Sequence, residues 1–294
     1  MGLLASLAVI IHWGDPESAL ELASSQCGVF ERVVIVANDG SGQPTELTAG
    51  VTWLVPERNL GYAGACQWAA DLFPARLYAF LNNDLAISPE ASSHLLGVLA
   101  ADPQIAVVGP TLYDLNGTLQ AGAASLSWGL LDVQTGHLPR RPLEDCQWVT
   151  GAAFYCNGDA VRALRFTLSY FLGAEDADFC YRARSAGWRV VATGEVRGVH
   201  VGAATIAGAR WQYYVFRNRV WFARTHRTKS AVARVWLWSA FVLAPRVLLA
   251  DVMKRRGFAR TRSAIFGVAH AASKIPAPDT FRADEPVPSK WLDW

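Results

Sequence analysis

Short runs of apolar residues alternate with amphipathic segments through the first hundred positions of the chain. Buried strands are predicted where the runs are short and aliphatic, at residues 7–11, 32–36, 51–55 and 77–81. Helices are predicted between these strands, at residues 16–25, 64–72 and 89–99. The alternation predicts an α/β fold with a doubly wound, mostly parallel sheet that carries helices on both faces.

Two of the predicted helices have clear start signals. Asp15 before Pro16, and Ser88 before Pro89, place a capping side chain ahead of a proline at the first helical position. Beyond residue 105 the pattern is less regular. Strands are predicted at residues 105–108, 147–149, 153–156 and 190–192, and helices at 175–186 and 210–224. Two more helices are predicted within 231–272, followed by an extended tail at 275–294.

Charge divides the chain into an acidic body and a basic C-terminal segment. The 294 residues are 52% hydrophobic and 18% charged, which allows one large core with an appendage. Residues 1–204 hold 11 Lys and Arg against 20 Asp and Glu, whereas residues 205–294 hold 16 against 5. The basic segment indicates either an anionic partner or a solvated basic helix surface.

Several features predict a cytoplasmic protein. The five cysteines contain no C-x-x-C pair, which fits a reducing compartment and gives no zinc or disulfide pattern. Residues 3–11 lack the basic flank of a signal peptide and are expected to form the first strand. Residues 231–250 are apolar but contain Arg234, Pro245 and Arg246, so this stretch is not expected to cross a membrane and is only a candidate to lie on one.

The basic segment at residues 229–262 also contains Trp236, Trp238 and Phe241. It is a candidate for peripheral contact with anionic lipid. The alternatives are a helical hairpin that completes the core and a homodimer contact. Nucleic acid is not an expected partner, because no nucleic-acid-binding motif accompanies the charge.

Two polar clusters follow predicted strands, at Asp39 and at Asn82-Asn83-Asp84. In doubly wound sheets ligands bind beyond the carboxyl ends of the strands. A carboxylate such as Asp84 can hold Mg²⁺ or Mn²⁺, which prefer oxygen ligands and are often shared with phosphates. An ordinary Asn/Asp turn is the structural alternative.

Three acids crowd the start of a predicted helix: Glu175, Asp176 and Asp178. The helix dipole alone can account for them. Glu175, Asp178 and Arg182 share one face, which predicts an Asp178–Arg182 ion pair. Asp176 points about 100° away from Glu175 and lacks an obvious structural partner. It is therefore a candidate general base.

Two weaker signals complete the candidate set. His200 follows a strand, where a histidine is usually structural but can also ligate a metal. The loop Asn59-Leu60-Gly61-Tyr62-Ala63-Gly64 precedes a helix, and its glycines allow backbone to approach a phosphate at the helix N-terminus.

As an ordered set, these motifs resemble the inverting family-two glycosyltransferases of the GT-A fold, especially the bacterial rhamnosyltransferase-like branch. The resemblance covers residues 6–225 and rests on residues 59–64, 82–84, 175–182, His200 and 213–219. It implies a GT-A nucleotide-sugar-binding catalytic domain at residues 1–225. Residues 226–294 would be a basic, Trp-rich helical extension.

The resemblance implies a role for each motif. Asp84 and His200 would hold Mg²⁺ or Mn²⁺, and Asp176 would deprotonate the acceptor hydroxyl. A nucleoside-diphosphate sugar donor would contact Asp39, Arg58, Asn59, Gly61, Gly64, Asn82, Asn83, Arg217 and Arg219. A glycan, lipid-linked or small-molecule acceptor would face Trp148, Thr150, Gly151 and Glu175. The branch usually has an Asp where this chain has Ala37, so Asp39 is the substitute for reading the base.

Other classes fit the sequence less well. A nucleotidyltransferase needs a basic, glycine-rich loop after the first strand, and residues 12–16 do not provide one. A dehydrogenase lacks its glycine fingerprint at the same place. The remaining alternative is a catalytically inactive glycosyltransferase-like protein that binds nucleotide-sugars or docks on a membrane. Retention of Asp84, Asp176 and His200 together favours an enzyme.

Overall fold

The computed structural model describes residues 2–126, 136–202, 208–255 and 257–273, which form two compact units. The first unit comprises residues 1–125, 133–167 and 175–202, and the second comprises 126–132, 168–174 and 203–294. The second unit thus groups residues 203–225 with the C-terminal helices, earlier than the predicted boundary at residue 225. The functional division at that boundary stays a prediction, and the predicted tail at 275–294 lies outside the described residues.

The first unit alternates strands and helices. Its elements are β1 (Leu4–His12), α1 (Pro16–Gln26), β2 (Arg32–Ala37), β3 (Val51–Leu54), α2 (Gly61–Leu72), β4 (Ala75–Asn82), β5 (Leu85–Ala86), α3 (Pro89–Ala101), β6 (Ile105–Tyr113), β7 (Leu119–Ala121), β8 (Leu143–Asp145), β9 (Ala153–Asn157), α4 (Gly158–Leu164), α5 (Glu175–Ser185) and β10 (Arg189–His200).

These strands form one sheet of ten among the described residues, in the order β3-β2-β1-β4-β9-β6-β10-β5, with β7 beside β6 and β8 beside β10. The half β3-β2-β1-β4 is parallel, and β9 is antiparallel to both of its neighbours, β4 and β6. The central strand β1 is buried over most of its length, as a sheet covered on both faces requires. The predicted α/β fold is confirmed.

The predicted helix starts are confirmed for α1 and α3. Asp15 Oδ1 accepts a hydrogen bond from Glu17 N, and Ser88 Oγ accepts one from Ala91 N, so each cap satisfies a backbone donor of the first turn. The helix α2 begins three residues earlier than predicted, at Gly61.

Two strand predictions in the second half of the sheet differ from the structure. Residues 147–149 form no strand: Gln147 and Trp148 both donate to Ala124 O, and only an isolated bridge at Trp148 remains. The strand predicted at 190–192 runs on to His200 as β10, because its second half pairs with β6 and with β5. That extension delivers His200 to the β5 end of the sheet.

The second unit is helical in its described part. It contains a 3₁₀ turn (Leu168–Tyr170), α6 (Ala209–His226), α7 (Lys229–Trp238), a π turn (Ser239–Leu243), α8 (Ala244–Met253) and α9 (Ala259–His270). The two helices predicted within 231–272 correspond to the continuous helix from α7 to α8 and to α9. Pro245 does not break the first of them, because the π turn directly before it changes the hydrogen-bond register.

The helix Lys229–Met253 has 25 residues and a mean hydropathy of 1.6 over its most apolar window, of which 22% is buried. By length and composition it is the one helix of the described chain that is long enough to cross a membrane. The core of a soluble protein can contain such a helix as well.

Candidate active site

Asp84 and His200 meet at the carboxyl end of β4. The turn after Asn82 leads into β5, which pairs with β10 so that Leu85 lies opposite His200. His200 Nε2 lies 3.1 Å from Asp84 Oδ1. The backbone closes the arrangement, since Gly202 N donates to Asp84 Oδ2 over 3.1 Å. The sequence-predicted metal pair is therefore brought together, although it is separated by more than a hundred residues of chain.

The contacts of His200 are suited to metal ligation. Its Nδ1 lies 3.0 Å from Gln120 Oε1, which is an acceptor for an Nδ1–H donor. Its Nε2 faces Asp84 Oδ1 and lies 3.2 Å from the amide nitrogen of Asn82. A carboxylate oxygen beside an imidazole nitrogen held by an outer partner is a donor set that Mg²⁺ or Mn²⁺ accepts.

Among the described His, Cys, Asp and Glu side chains, two meet there. No group of three or more His, Cys, Asp or Glu converges within the described ranges. Divalent ions in phosphate-binding sites commonly complete their coordination with substrate oxygens and water. Burial alone would raise the pKa of Asp84, but the His200 imidazole and backbone donors lower it below its ordinary value. The carboxylate is thus anionic at neutral pH, as a metal ligand must be.

Asp176 lies in the first turn of α5, where two backbone amides hold its carboxylate. Gly151 N donates to Oδ2 over 2.7 Å, and Ala177 N donates to Oδ1 over 2.7 Å. Gly151 O in turn accepts the hydroxyl hydrogen bond of Tyr62. The loop before β9 therefore positions the carboxylate predicted as general base.

Burial raises the pKa of Asp176 above its ordinary value, and the hydrogen bonds from Gly151 and Ala177 oppose that shift. The indole N–H of Trp148 also faces the carboxylate and lowers its pKa, although it lies outside hydrogen-bond geometry. The side chain remains half-buried and not sealed. A carboxylate whose pKa moves toward neutrality, with part of its surface accessible, is suited to taking a proton.

The loop at residues 150–152 joins the two candidate groups within the first unit. Asn82 N donates to Ala152 O over 3.0 Å, directly beside the turn that carries Asp84. The preceding residue, Gly151, holds Asp176. The strand end with the metal pair and the helix start with the acid therefore border the same three residues of backbone.

The other two acids of α5 are buried. Asp178 Oδ2 accepts from Arg182 Nε and from Thr167 Oγ1, each over 2.7 Å, which confirms the predicted ion pair. Arg182 also donates to the backbone oxygens of Leu164 and Arg165. Asp178 thus anchors α5. Glu175 is buried beside Asp176, and its predicted acceptor-side role stays a prediction.

The loop after β2 organises the start of α2 through Asn38, which sequence reasoning missed. Its Oδ1 accepts from Leu60 N over 2.7 Å, and its Nδ2 donates to Gly61 O over 3.0 Å. Asn59 Oδ1 accepts from Gly61 N over 2.8 Å, so Asn59 shapes the turn in which Gly61 adopts a φ of 64°. A signal was present, since Asn38 belongs to the polar cluster after a predicted strand.

Asp39 is held in the neighbouring loop. Gly14 N donates to its Oδ2 over 2.8 Å, and Ser41 donates to Oδ1 through N and Oγ. Burial would raise the pKa of Asp39, but these hydrogen bonds lower it below its ordinary value. Asp39 is therefore ionised at the carboxyl ends of β1 and β2, where a base or ribose would lie.

The remaining predicted site residues include Asn83, Arg58, Gly64 and Thr150. Asn83 Nδ2 donates to Trp13 O over 3.2 Å, which ties the β4 turn to the loop after β1. Arg58 is exposed beside Asn59, and Gly64 is buried in the first turns of α2. Thr150 Oγ1 accepts from Ala152 N over 3.3 Å. The donor and acceptor roles of these residues stay predictions.

Arg217 and Arg219 belong to the second unit and are 2% and 5% exposed. Arg217 donates to the backbone oxygens of Ser169 and Tyr170 and stacks on Trp221, 4.1 Å from the ring centroid. Asn218 also donates to Tyr170 O and to the backbone oxygens of Leu172 and Gly173. These contacts give Arg217 a structural role, and the contact of both arginines with the donor diphosphate stays a prediction.

The architecture matches solved glycosyltransferases. GalNAc-T7 with UDP, GalNAc and Mn²⁺ aligns at a TM-score of 0.59 and 13% identity, over 93% of this chain and 59% of that chain. A mannosyltransferase from Pyrobaculum calidifontis in complex with GDP-Man and Mn²⁺ aligns at 0.53 and 12%, over 92% and 87%. Residues 1–349 of S. aureus TarS align at 0.52 and 13%, over 93% and 81%.

The chain has the GT-A fold. Likeness at these identities shows the fold and leaves activity to be argued from the site. The chain spans 59% of the length of the GalNAc-T7 chain. No protein-family model and no curated protein sequence matches it.

Proposed function

We propose that this chain is a glycosyltransferase that moves a sugar from a nucleoside-diphosphate donor to an acceptor hydroxyl, with inversion at the anomeric carbon. The observation that carries the proposal is the loop at residues 150–152, which binds the strand end before Asp84 on one side and Asp176 on the other. A pair of metal-ligating side chains and a proton-accepting carboxylate therefore border one short stretch of backbone.

Asp84 and His200 are proposed to hold a divalent ion, Mg²⁺ or Mn²⁺. When bound, the ion acts as a Lewis acid that stabilises the negative charge on the departing nucleoside diphosphate. Asp84 supplies an anionic oxygen, and with an ion bound Gln120 would accept the Nδ1 proton of His200 so that Nε2 serves as the ligand. Two of the solved structures with this fold contain Mn²⁺ together with a nucleotide, which supports the choice of ion.

Asp176 is proposed as the general base. Its carboxylate takes the proton of the acceptor hydroxyl while that oxygen attacks the anomeric carbon and the bond from this carbon to the diphosphate oxygen breaks. A single displacement of this kind inverts the anomeric configuration. The raised pKa makes Asp176 a stronger base than an ordinary aspartate, and Gly151 N and Ala177 N fix its orientation.

The donor is proposed to lie along the carboxyl ends of β1, β2 and β4. Asp39 and Asn83 lie at those ends, and the N-terminal turn of α2, with Gly61 and Gly64, carries the positive end of a helix dipole, which favours a diphosphate. The rhamnosyltransferase-like resemblance of the sequence suggests a deoxyhexose donor, whereas two of the compared proteins are solved with UDP and GalNAc or with GDP-Man.

A thermal-shift screen of the full chain with UDP, GDP and dTDP, each with and without Mn²⁺, tests donor binding. One nucleotide is expected to raise the melting temperature with Mn²⁺ present, because a ligand at 100 times its Kd adds about 2.7 kcal/mol to the free energy of unfolding. Asp84→Ala should lose the Mn²⁺-dependent part of the shift. If no nucleotide shifts the wild-type protein, the donor site is wrong.

Transfer itself is tested with Asp176→Asn, using the sugar nucleotide that the screen identifies. The variant should keep the nucleotide-induced shift and lose about 10²- to 10⁴-fold in turnover, the range for removal of a general base. Undiminished turnover would exclude Asp176 as the base. Nucleotide binding with no turnover in the wild-type protein would favour the inactive, nucleotide-sugar-binding alternative.

A further inference from the structure

The helix from α7 to α8 exposes most of its apolar side chains. Its buried residues lie on one face: Ala231, Val235, Ser239, Ala244 and Asp251. On the opposite face, Leu237, Phe241, Leu248 and Val252 recur at intervals of four, seven and four residues and are all exposed, Phe241 by 70%. Trp238, Leu249 and Met253 widen the stripe. We call this set the apolar stripe.

The surroundings of the apolar stripe are basic. Residues 205–273 hold thirteen Lys and Arg and a single acid, Asp251. That acid is fully buried, where it accepts from Thr261 N and Oγ1 and lies 3.5 Å from Arg260. No acidic side chain is therefore exposed in the described part of this stretch. Arg234 and Arg246 flank the stripe, and Lys254 follows its end.

An open cavity of about 480 Å³ adjoins the stripe at Trp236 and Leu237. Its lining is mainly apolar, with Val220 and Val232 among its walls, and it carries the cations Arg224 and Lys229. An apolar groove with basic side chains matches the chemistry of a phospholipid, whose acyl chains are apolar and whose phosphate is anionic.

We propose that this face of the second unit docks on an anionic lipid bilayer, with the helix Lys229–Met253 lying in the plane of the interface. A helix with an apolar face and a basic flank binds bilayers in this way, through buried apolar area and attraction to anionic lipid. Arg234 and Arg246 lie within the helix Lys229–Met253, which opposes a spanning position, because charged side chains are costly at the bilayer centre. The inference is independent of the proposed transfer reaction.

A second copy of this chain is the competing occupant. In a two-fold symmetric dimer the same patch meets itself, so Arg234, Arg246 and Lys254 of one copy would face like charges of the other. A bilayer that contains phosphatidylglycerol presents the complementary sign. Charge complementarity therefore favours lipid over self-association.

Flotation of the full chain with lipid vesicles tests the proposal. One set of vesicles is pure phosphatidylcholine, and the other is phosphatidylcholine with about 30 mol% phosphatidylglycerol, an anionic lipid. Binding is expected only with the anionic vesicles and should weaken between roughly 0.1 and 0.5 M salt. Equal flotation with both vesicles would overturn the anionic-lipid inference. The absence of flotation, or a dimer in sedimentation analysis that excludes lipid, would overturn docking altogether.

Two variants separate the apolar and the electrostatic contributions. Phe241→Glu with Met253→Glu changes two exposed side chains and should abolish flotation. Lys254→Gln with Arg255→Gln should weaken it by about 30-fold, because each basic residue near an anionic surface contributes roughly fivefold in affinity. The matched controls are Leu115→Glu, at a 71% exposed leucine of the first unit, and Arg76→Gln.

Both controls should float like the wild-type protein. If the controls lose binding as the stripe variants do, or if the stripe variants still float, the apolar stripe is not the docking surface. Extraction of the vesicle-bound protein with alkaline carbonate shows how deeply the helix Lys229–Met253 is inserted. Release of the protein supports a helix that lies in the interface. Resistance to extraction would show that the helix spans the bilayer and would overturn the interfacial position.

Discussion

Gly151 N lies 2.7 Å from Asp176 Oδ2, and a Cβ added at Gly151 would lie 3.3 Å from the same oxygen. Gly151 therefore orients the proposed base, and a larger side chain at this position would displace the carboxylate of Asp176. The same added Cβ would lie 3.4 Å from the ring of Tyr62. The close approach explains why glycine stands at this position.

Gly151→Ala is expected to slow transfer by about tenfold, because the carboxylate must shift by a few tenths of an ångström from its working position. Donor affinity should remain unchanged, since Gly151 lies on the acceptor side of the proposed site. Steady-state kinetics with the donor varied separates the two effects. Gly97→Ala is the control: its Cβ would meet open space in α3, and it should add up to about 1 kcal/mol of stability without a change in rate.

The pH dependence of kcat/KM should report Asp176. Burial raises the pKa of this carboxyl, so it becomes protonated, and unable to act as a base, at a higher pH than an ordinary aspartate. Activity should fall as the pH drops through that raised pKa and should be full above it. The residual rate of the Asp176→Asn variant should not show this fall in activity at low pH, the acid limb of the profile. An acid limb that persists in this variant would belong to another group.

Gln120→Met should weaken metal binding by about 10- to 100-fold, the range for loss of an outer partner of a histidine ligand. The reason is that Gln120 Oε1 lies 3.0 Å from His200 Nδ1, where it would accept the Nδ1 proton of a metal-bound imidazole and hold its orientation. Titration of Mn²⁺ by isothermal calorimetry, with nucleotide present, measures the change. Gln43→Met, at an exposed glutamine, provides the comparison, and equal affinity in the two variants would remove Gln120 from the metal site.

Asp178→Ala should destabilise the protein by roughly 3–5 kcal/mol, because it leaves the Arg182 cation without its buried partner. Asp159→Ala breaks an exposed pair with Arg162, three residues further along α4, and should cost at most about 1 kcal/mol. Urea denaturation of both variants gives the two values. A similar small loss in both would show that Asp178 is not an anchor of α5.

The first half of the fold was predictable because its signals are local. Asp15 and Ser88 cap helices through their own neighbours in sequence, and the buried strands β1 and β2 are continuous aliphatic runs. The second half depends on partners distant in the chain. The strand β10 extends to His200 only because β5 and β6 pair with it, and residues 147–149 look like a strand but bridge a single residue.

The candidate site divides in the same way. The ion pair of Asp178 with Arg182 and the separate direction of Asp176 follow from helical spacing alone, and both are present in the structure. Gln120 and Asn38 escaped prediction because a glutamine or asparagine acquires its role only from the group that folding places beside it. The cytoplasmic location, the homodimer and the individual donor contacts stay predictions.

The π turn between α7 and α8 sets the angular phase of the helix on either side of it. Ala244 N donates a hydrogen bond to Ser239 O, five residues earlier, so these two buried residues lie on the same side of the helix. In an ordinary α-helix, residues five apart point about 140° away from each other. Removal of Val242 would leave Ser239 and Ala244 four residues apart and still on the same side of the helix. Removal of a residue within α8 would instead rotate all following side chains about the helix axis by about 100°. The turn is therefore a place where evolution can change the length of this helix and keep the same side facing outward.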